Sequence, residues 1–144
     1  MAAPSFLYVE DDDAAFFLLQ MAFREADPRI RLLRASDGDQ ALRFLQRSGT
    51  FQDAPRPDLI LLDVNLPKRN GLEVLKLLKE TEALRAIPVI MFTTSAESSD
   101  RETSLALGAQ EYVTKPPTLE QFIEVVKALS RFSQESDKNA GAAR

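Results

Sequence analysis

Residues 59–71 read LILLDVNLPKRNG: four large aliphatic residues run without a break into Asp63, followed by Asn65, Pro67 and Gly71. A strand that is apolar at every position is buried on both faces. That requires helices on both sides of the sheet, the arrangement of parallel α/β folds. Four more short apolar runs surround it: SFLYV (5–9), IRLLRA (30–35), PVIMF (88–92) and EYV (111–113). Each is too short for a helix and is bounded by charge, glycine or proline, so each is predicted to be a strand.

Helical patterns fill the intervals. Phe17, Leu18, Met21 and Ala22 share one face, as do Ala41, Leu42 and Leu45, then Leu72, Leu75 and Leu78. The last helix carries Leu119, Phe122, Ile123 and Val126 on a single stripe. Asn70-x-x-Glu73, Ser99-x-x-Glu102 and Thr118-x-x-Gln121 have the form of helix starts, and Gly108 after LAL that of a stop. Strand and helix alternate five times, which predicts an α/β fold with one doubly wound, five-stranded parallel sheet. Two segments stand outside the alternation. Residues 48–58, SGTFQDAPRPD, form a long connection before the third strand; residues 133–144, SQESDKNAGAAR, read as a flexible polar tail. One domain over 1–132 is expected.

Composition narrows the chemistry. The 144 residues include no cysteine and no histidine. Disulfides, thiolate nucleophiles, histidine-based triads and histidine zinc ligands are thereby excluded, and any metal must be a hard cation held by oxygen. Absent cysteine fits a reducing cytoplasm, and the N-terminus MAAPSFLYVEDDD lacks the pattern of a secretory signal. A net charge of −4 with scattered arginines argues against a nucleic-acid surface. No apolar stretch approaches the roughly 20 residues that cross a bilayer.

In an open parallel sheet, ligands bind at the carboxyl ends of the strands. The first strand delivers Glu10, Asp11 and Asp12 there, the third Asp63, the fourth Thr93, Thr94 and Ser95, the fifth Thr114 and Lys115. Taken singly, each has an ordinary reading: an aspartate cap, a strand-end hydroxyl, a surface lysine, with Asp12 and Asp13 better placed to cap a helix than to hold metal. Jointly they supply phosphate and magnesium chemistry on one edge. Carboxylates about 4 Å apart repel by roughly 4 kcal/mol per pair at an effective dielectric near 20, which Lys115 and a divalent cation would offset. Mg²⁺ or Mn²⁺ suits such an oxygen site, where an Asp63 oxygen could attack a phosphoryl group.

These residues carry a resemblance. VEDD around Glu10 and Asp11, LLDVNLPKRNG around Asp63, FTTSA around Thr93 and YVTKPP around Lys115 resemble the receiver domain of two-component response regulators, of the stand-alone, chemotaxis-regulator-like type, across roughly residues 5–131. The resemblance implies the flavodoxin-like strand order 2-1-3-4-5. It implies Asp63 as phosphoacceptor, Asp11 as direct metal ligand with Glu10 beside it, the Asn65 backbone carbonyl on the metal, and Lys115 on the phosphoryl group. Thr93 and Tyr112 would form the switch, reshaping the face of the fourth helix, fifth strand and fifth helix, and Lys115–Pro116 would be cis. Ser95 and Asn65 would tune dephosphorylation. The partners implied are a sensor histidine kinase, which must supply the histidine, and a downstream protein or a second copy bound at that face.

RPDLILLDVNLPK and the 48–58 connection look most like regulators that accompany bacteriophytochromes. Glu10 stands where aspartate is commoner, and Pro117 where a hydrophobic residue is usual. Enzymatic activity would extend at most to self-phosphorylation and self-dephosphorylation. Two other readings compete. A haloacid-dehalogenase-like phosphatase would want a second acid two residues after its nucleophile, where this chain has Asn65. A pseudo-receiver would be a binding module with a silent site.

Overall fold

A computed structural model describes residues 3–133. Its five strands are β1 (Ser5–Val9), β2 (Arg31–Ala35), β3 (Leu59–Leu62), β4 (Val89–Thr93) and β5 (Glu111–Thr114). They pair in parallel throughout, in the order β2-β1-β3-β4-β5. The helices are α1 (Asp13–Ala26), α2 (Gly38–Gln46), α3 (Gly71–Glu80), α4 (Ser98–Ala106) and α5 (Leu119–Leu129).

The unbroken apolar strands split into two cores by simple alternation of side-chain direction. Leu7, Val9, Ile60, Leu62, Val89 and Met91 face α2 and α3, where Ala41, Phe44, Val74, Leu75 and Leu78 meet them. Phe6, Tyr8, Leu59, Leu61, Ile90 and Phe92 face α1 and α5, against Leu19, Ala22, Phe23, Phe122 and Val126. Both faces of β3 are therefore dry.

Helix ends follow local chemistry, with departures from expectation. Asp12, Asn70 and Thr118 cap α1, α3 and α5, accepting from the amides of Ala14, Leu72 and Gln121. Ser99 does not start α4: Glu97 occupies the cap position without a side-chain bond, and Ser99 lies within the first turn. On α1 the buried stripe is Ala15, Leu19, Ala22 and Phe23, whereas Phe17 is exposed. Phe17 is one position off the stripe that α5 covers. The 48–58 connection holds a short 3-10 turn, Gly49–Phe51, that packs Phe51 on Phe44 with ring centroids 5.6 Å apart. Among the described residues no peptide bond is cis, so Lys115–Pro116 is trans, contrary to the resemblance; trans is the cheaper isomer before proline.

Ser133, placed with the tail by its sequence, is buried and accepts a hydrogen bond from Arg29 at 3.3 Å. The tail's other residues, 134–144, lie outside the described residues.

Gly71 makes the closest approach in the fold. A Cβ there would sit 1.9 Å from the Asp63 carbonyl oxygen. Only glycine lets the start of α3 cross behind the tip of β3. Gly71→Ala is expected to cost about 3 kcal/mol or more, lowering the melting temperature by about 10 °C. A thermal melt followed by circular dichroism checks this, and an unchanged midpoint would show that the turn yields freely.

Candidate functional site

Four strand ends meet at one edge. Glu10, the residue after β1, is fixed through its backbone: its amide donates to Ala35 O at 2.9 Å and its carbonyl accepts from Arg34 Nε at 3.0 Å. Its side chain turns inward and is 1% exposed. Asp63, the residue after β3, is also buried, and its Oδ1 accepts from the Asn65 amide at 3.1 Å. Thr93 ends β4, fully buried, with its hydroxyl oxygen accepting from the Ser95 amide at 3.3 Å. Lys115, just past β5, donates its amide to Thr93 O at 2.7 Å, which anchors the backbone beside β4. Its ammonium donates to Asp63 Oδ2 at 2.9 Å and also to Glu10 Oε1.

Two buried carboxylates thus share one buried ammonium. Burial, followed by contact with Asp63, pushes the Glu10 carboxyl up to about 7 against the opposing pull of Lys115. Burial also acts upward on Asp63, yet the neighbouring Glu10, Thr93 and Lys115 side chains outweigh it and hold Asp63 below the usual aspartate range. For Lys115, burial disfavours the charge, but bonds to Glu10 and Asp63 prevail and raise its pKa. Asp63 is therefore the carboxylate kept ionised, as a nucleophile requires, while Glu10 holds a proton until pH nears 7.

The remaining expected residues separate. Asn65 is exposed beside Asp63. Tyr112 is half-buried and donates its hydroxyl to Ser95 O at 2.8 Å, one residue chain away from the Thr93–Ser95 bond. Asp11 is exposed on the rim, and among the described residues no three His, Cys, Asp or Glu side chains converge as a cage. Even so, the donors fit a hard cation. Glu10 Oε2 is buried without a hydrogen-bond partner, an unused carboxylate oxygen next to Asp63.

Two positions escaped the sequence reading. Tyr8 donates to Glu10 Oε1 at 3.4 Å, and Asp100 Oδ2 accepts from Ser95 Oγ at 2.7 Å. The first was findable, because residues 8 and 10 of one extended segment point to the same side. The second depends on where α4 begins.

If a divalent cation takes the Glu10 carboxylate it competes there with the proton, and apparent Mn²⁺ affinity should then rise about tenfold per pH unit below 7 and level off above it. The corresponding stability term has the opposite slope. A carboxyl whose folded pKa exceeds its ordinary value of 4.5 stabilises the fold most when protonated, so cation-free stability from this group falls between 4.5 and about 7. Melts at about pH 5.5 and about pH 8, with and without Mn²⁺, test both; equal cation shifts at the two values would contradict the assignment.

The family model described as the response regulator receiver domain matches residues 6–127. The response regulator Rcp1 of a Synechocystis strain is 38% identical over 126 residues, 88% of this chain and 86% of that protein. The crystal structure of the Mn²⁺-bound form of Rcp1 superposes with a TM-score of 0.82 at 37% identity, covering 90% of this chain and 93% of that one. That of the phosphorylated cyanobacterial phytochrome response regulator RcpA gives 0.86 at 36% identity, covering 94% and 96%.

Proposed function

Because the chain belongs to the response regulator receiver domain family, we propose that it takes a phosphoryl group onto Asp63 from a sensor histidine kinase and signals through altered protein contacts. The observation that carries the residue assignment is the Asp63 carboxylate, buried and held by Lys115 at 2.9 Å beside the open oxygen of Glu10.

The donor is an imidazole phosphate on the partner, since this chain has no histidine. An Asp63 oxygen forms the new P–O bond as the donor's P–N bond breaks, and the released imidazole nitrogen takes up a proton. Lys115 neutralises charge on the transferred group, and Thr93 offers its hydroxyl to a phosphoryl oxygen. Glu10, Asp63, Asp11 and the Asn65 carbonyl would hold Mg²⁺ or Mn²⁺, which supplies further neutralisation when bound. Rcp1's Mn²⁺-bound form and RcpA's phosphorylated form support both halves of this reading.

The donor must rest on the rim to reach so buried a carboxylate. A depression of about 320 Å³ lined by Ala14, Leu18, Thr94, Pro116 and Pro117 reaches Lys115, and it supports a kinase seat there. A bacteriophytochrome is the kinase class favoured by RcpA and by the bacteriophytochrome response regulator AtBRR, 36% identical with a TM-score of 0.73. Such an exchange belongs in the cytoplasm. For output, a phosphoryl group adds about −1.5 to −2 charge. Drawing the Thr93 hydroxyl toward it loosens the Ser95 amide, and Ser95 O is what Tyr112 holds. The face of α4, β5 and α5, with Leu105 exposed, is the surface then altered for a target or a second copy.

Incubation with a small acyl phosphate tests the proposal. One phosphoryl group per chain, gained only with a divalent cation, supports it. No gain would leave a silent binding module, and steady turnover of a phosphomonoester would point to a phosphatase.

A further inference from the structure

We propose that Tyr8 is a positioning residue of the cation site: its hydroxyl fixes the Glu10 carboxylate so that Oε2 stays open to a divalent cation. This rests on the reading of Glu10 as a cation ligand.

Tyr8 has no exposed surface, and its ring lies 6.2 Å from Phe16 and 5.8 Å from Phe92. A phenol buried in such surroundings needs a partner for its O–H. The partner is Glu10 Oε1, 3.4 Å away, the same oxygen that accepts from Lys115. Two donors converge on one oxygen, and Oε2 is left buried and unbonded. With Lys115 alone the carboxylate could pivot about Oε1 or offer Oε2 to the ammonium. The phenol, held in the α1–α5 core, limits that freedom by bonding the same oxygen. Partners that orient a metal ligand without touching the metal typically change affinity by about 10- to 100-fold. The length of this bond places the expected effect near the low end, about tenfold.

The test uses Mn²⁺ alone, with free ion measured by electron paramagnetic resonance. Tyr8→Phe keeps the ring and removes one oxygen, and its Mn²⁺ Kd is expected to weaken about tenfold. Phe92→Leu disturbs the same ring cluster without touching Glu10; it should lower the melting temperature and leave the Kd within about twofold. A Kd unchanged in Tyr8→Phe, or weakened equally in Phe92→Leu, overturns the proposal. A second measurement serves if Tyr8→Phe fails to fold. The chain has two tyrosines, so ring-labelled protein gives two carbon resonances, and Tyr112→Phe identifies the one from Tyr8. That resonance should shift during a Mg²⁺ titration, with the midpoint of binding. A Tyr8 signal that stays still while Mg²⁺ binds overturns the proposal alone; no binding by the unaltered protein overturns the cation site itself.

Discussion

Asp63→Asn protein, incubated with a cation and a small acyl phosphate, is expected to gain no phosphoryl group, a loss on the order of 10³-fold or more in uptake rate. Asparagine keeps the shape and still accepts from the Asn65 amide, so the fold should persist. What disappears is the ionised oxygen that the surrounding Glu10, Thr93 and Lys115 side chains maintain. Above about pH 7, where Glu10 also loses its proton, removing one member of the cluster relieves its repulsion with Glu10. The variant should therefore melt at or above the unaltered protein when no cation is present. Intact mass and a thermal melt read both effects, and full uptake by the variant would remove Asp63 from the mechanism.

Lys115→Met is expected to show the second large effect, and it depends on pH. The lysine side chain is 8% exposed and carries the only cation bonded to both carboxylates among the described residues. Without it, two buried carboxylates face each other. Breaking a buried pair of this kind costs about 3 kcal/mol or more, or about 10 °C in melting temperature. Glu10 can escape by keeping its proton, since burial already holds its carboxyl near 7. The loss should be small at about pH 6 and larger at about pH 8, because a raised carboxyl pKa removes stability as pH climbs and loss of Lys115 raises Glu10 further. Saturating Mg²⁺ should restore more stability to the variant than to the unaltered protein. Phosphoryl uptake should fall by about 10²- to 10³-fold at every pH, since the ammonium no longer meets the transferred group. A variant as stable at pH 8 as at pH 6, with normal uptake, would place Lys115 outside the site.

Much of this arrangement was visible in the chain. LILL is apolar at every position because two cores flank β3, and that reading carried the sheet, the five alternating units and the edge where the strands end. Asp63, Lys115, Thr93 and Glu10 were legible as a group because each directly follows or ends a strand. Legibility failed where burial is decided by neighbours distant in sequence. Phe17 has the spacing of a core residue, yet the position of α5 leaves it in solvent. Ser99 satisfies the pattern of a cap, but α4 starts one residue earlier, at Ser98. Of the adjacent acids Glu10 and Asp11, the resemblance made Asp11 the direct metal ligand and Glu10 its partner. Beyond the end of β1 the chain bends, and Glu10 is buried against Lys115 while Asp11 stays exposed on the rim.

Acyl phosphates are reduced by borohydride, which converts a phosphorylated aspartate to homoserine and leaves free carboxylates intact. Applied to the phosphorylated protein and read by peptide mass, this locates the acceptor at single-residue resolution. Homoserine at position 63 alone is the expected result; homoserine at 11 or 12, or none despite bound phosphoryl, would contradict the assignment of a buried strand-tip aspartate as the carrier.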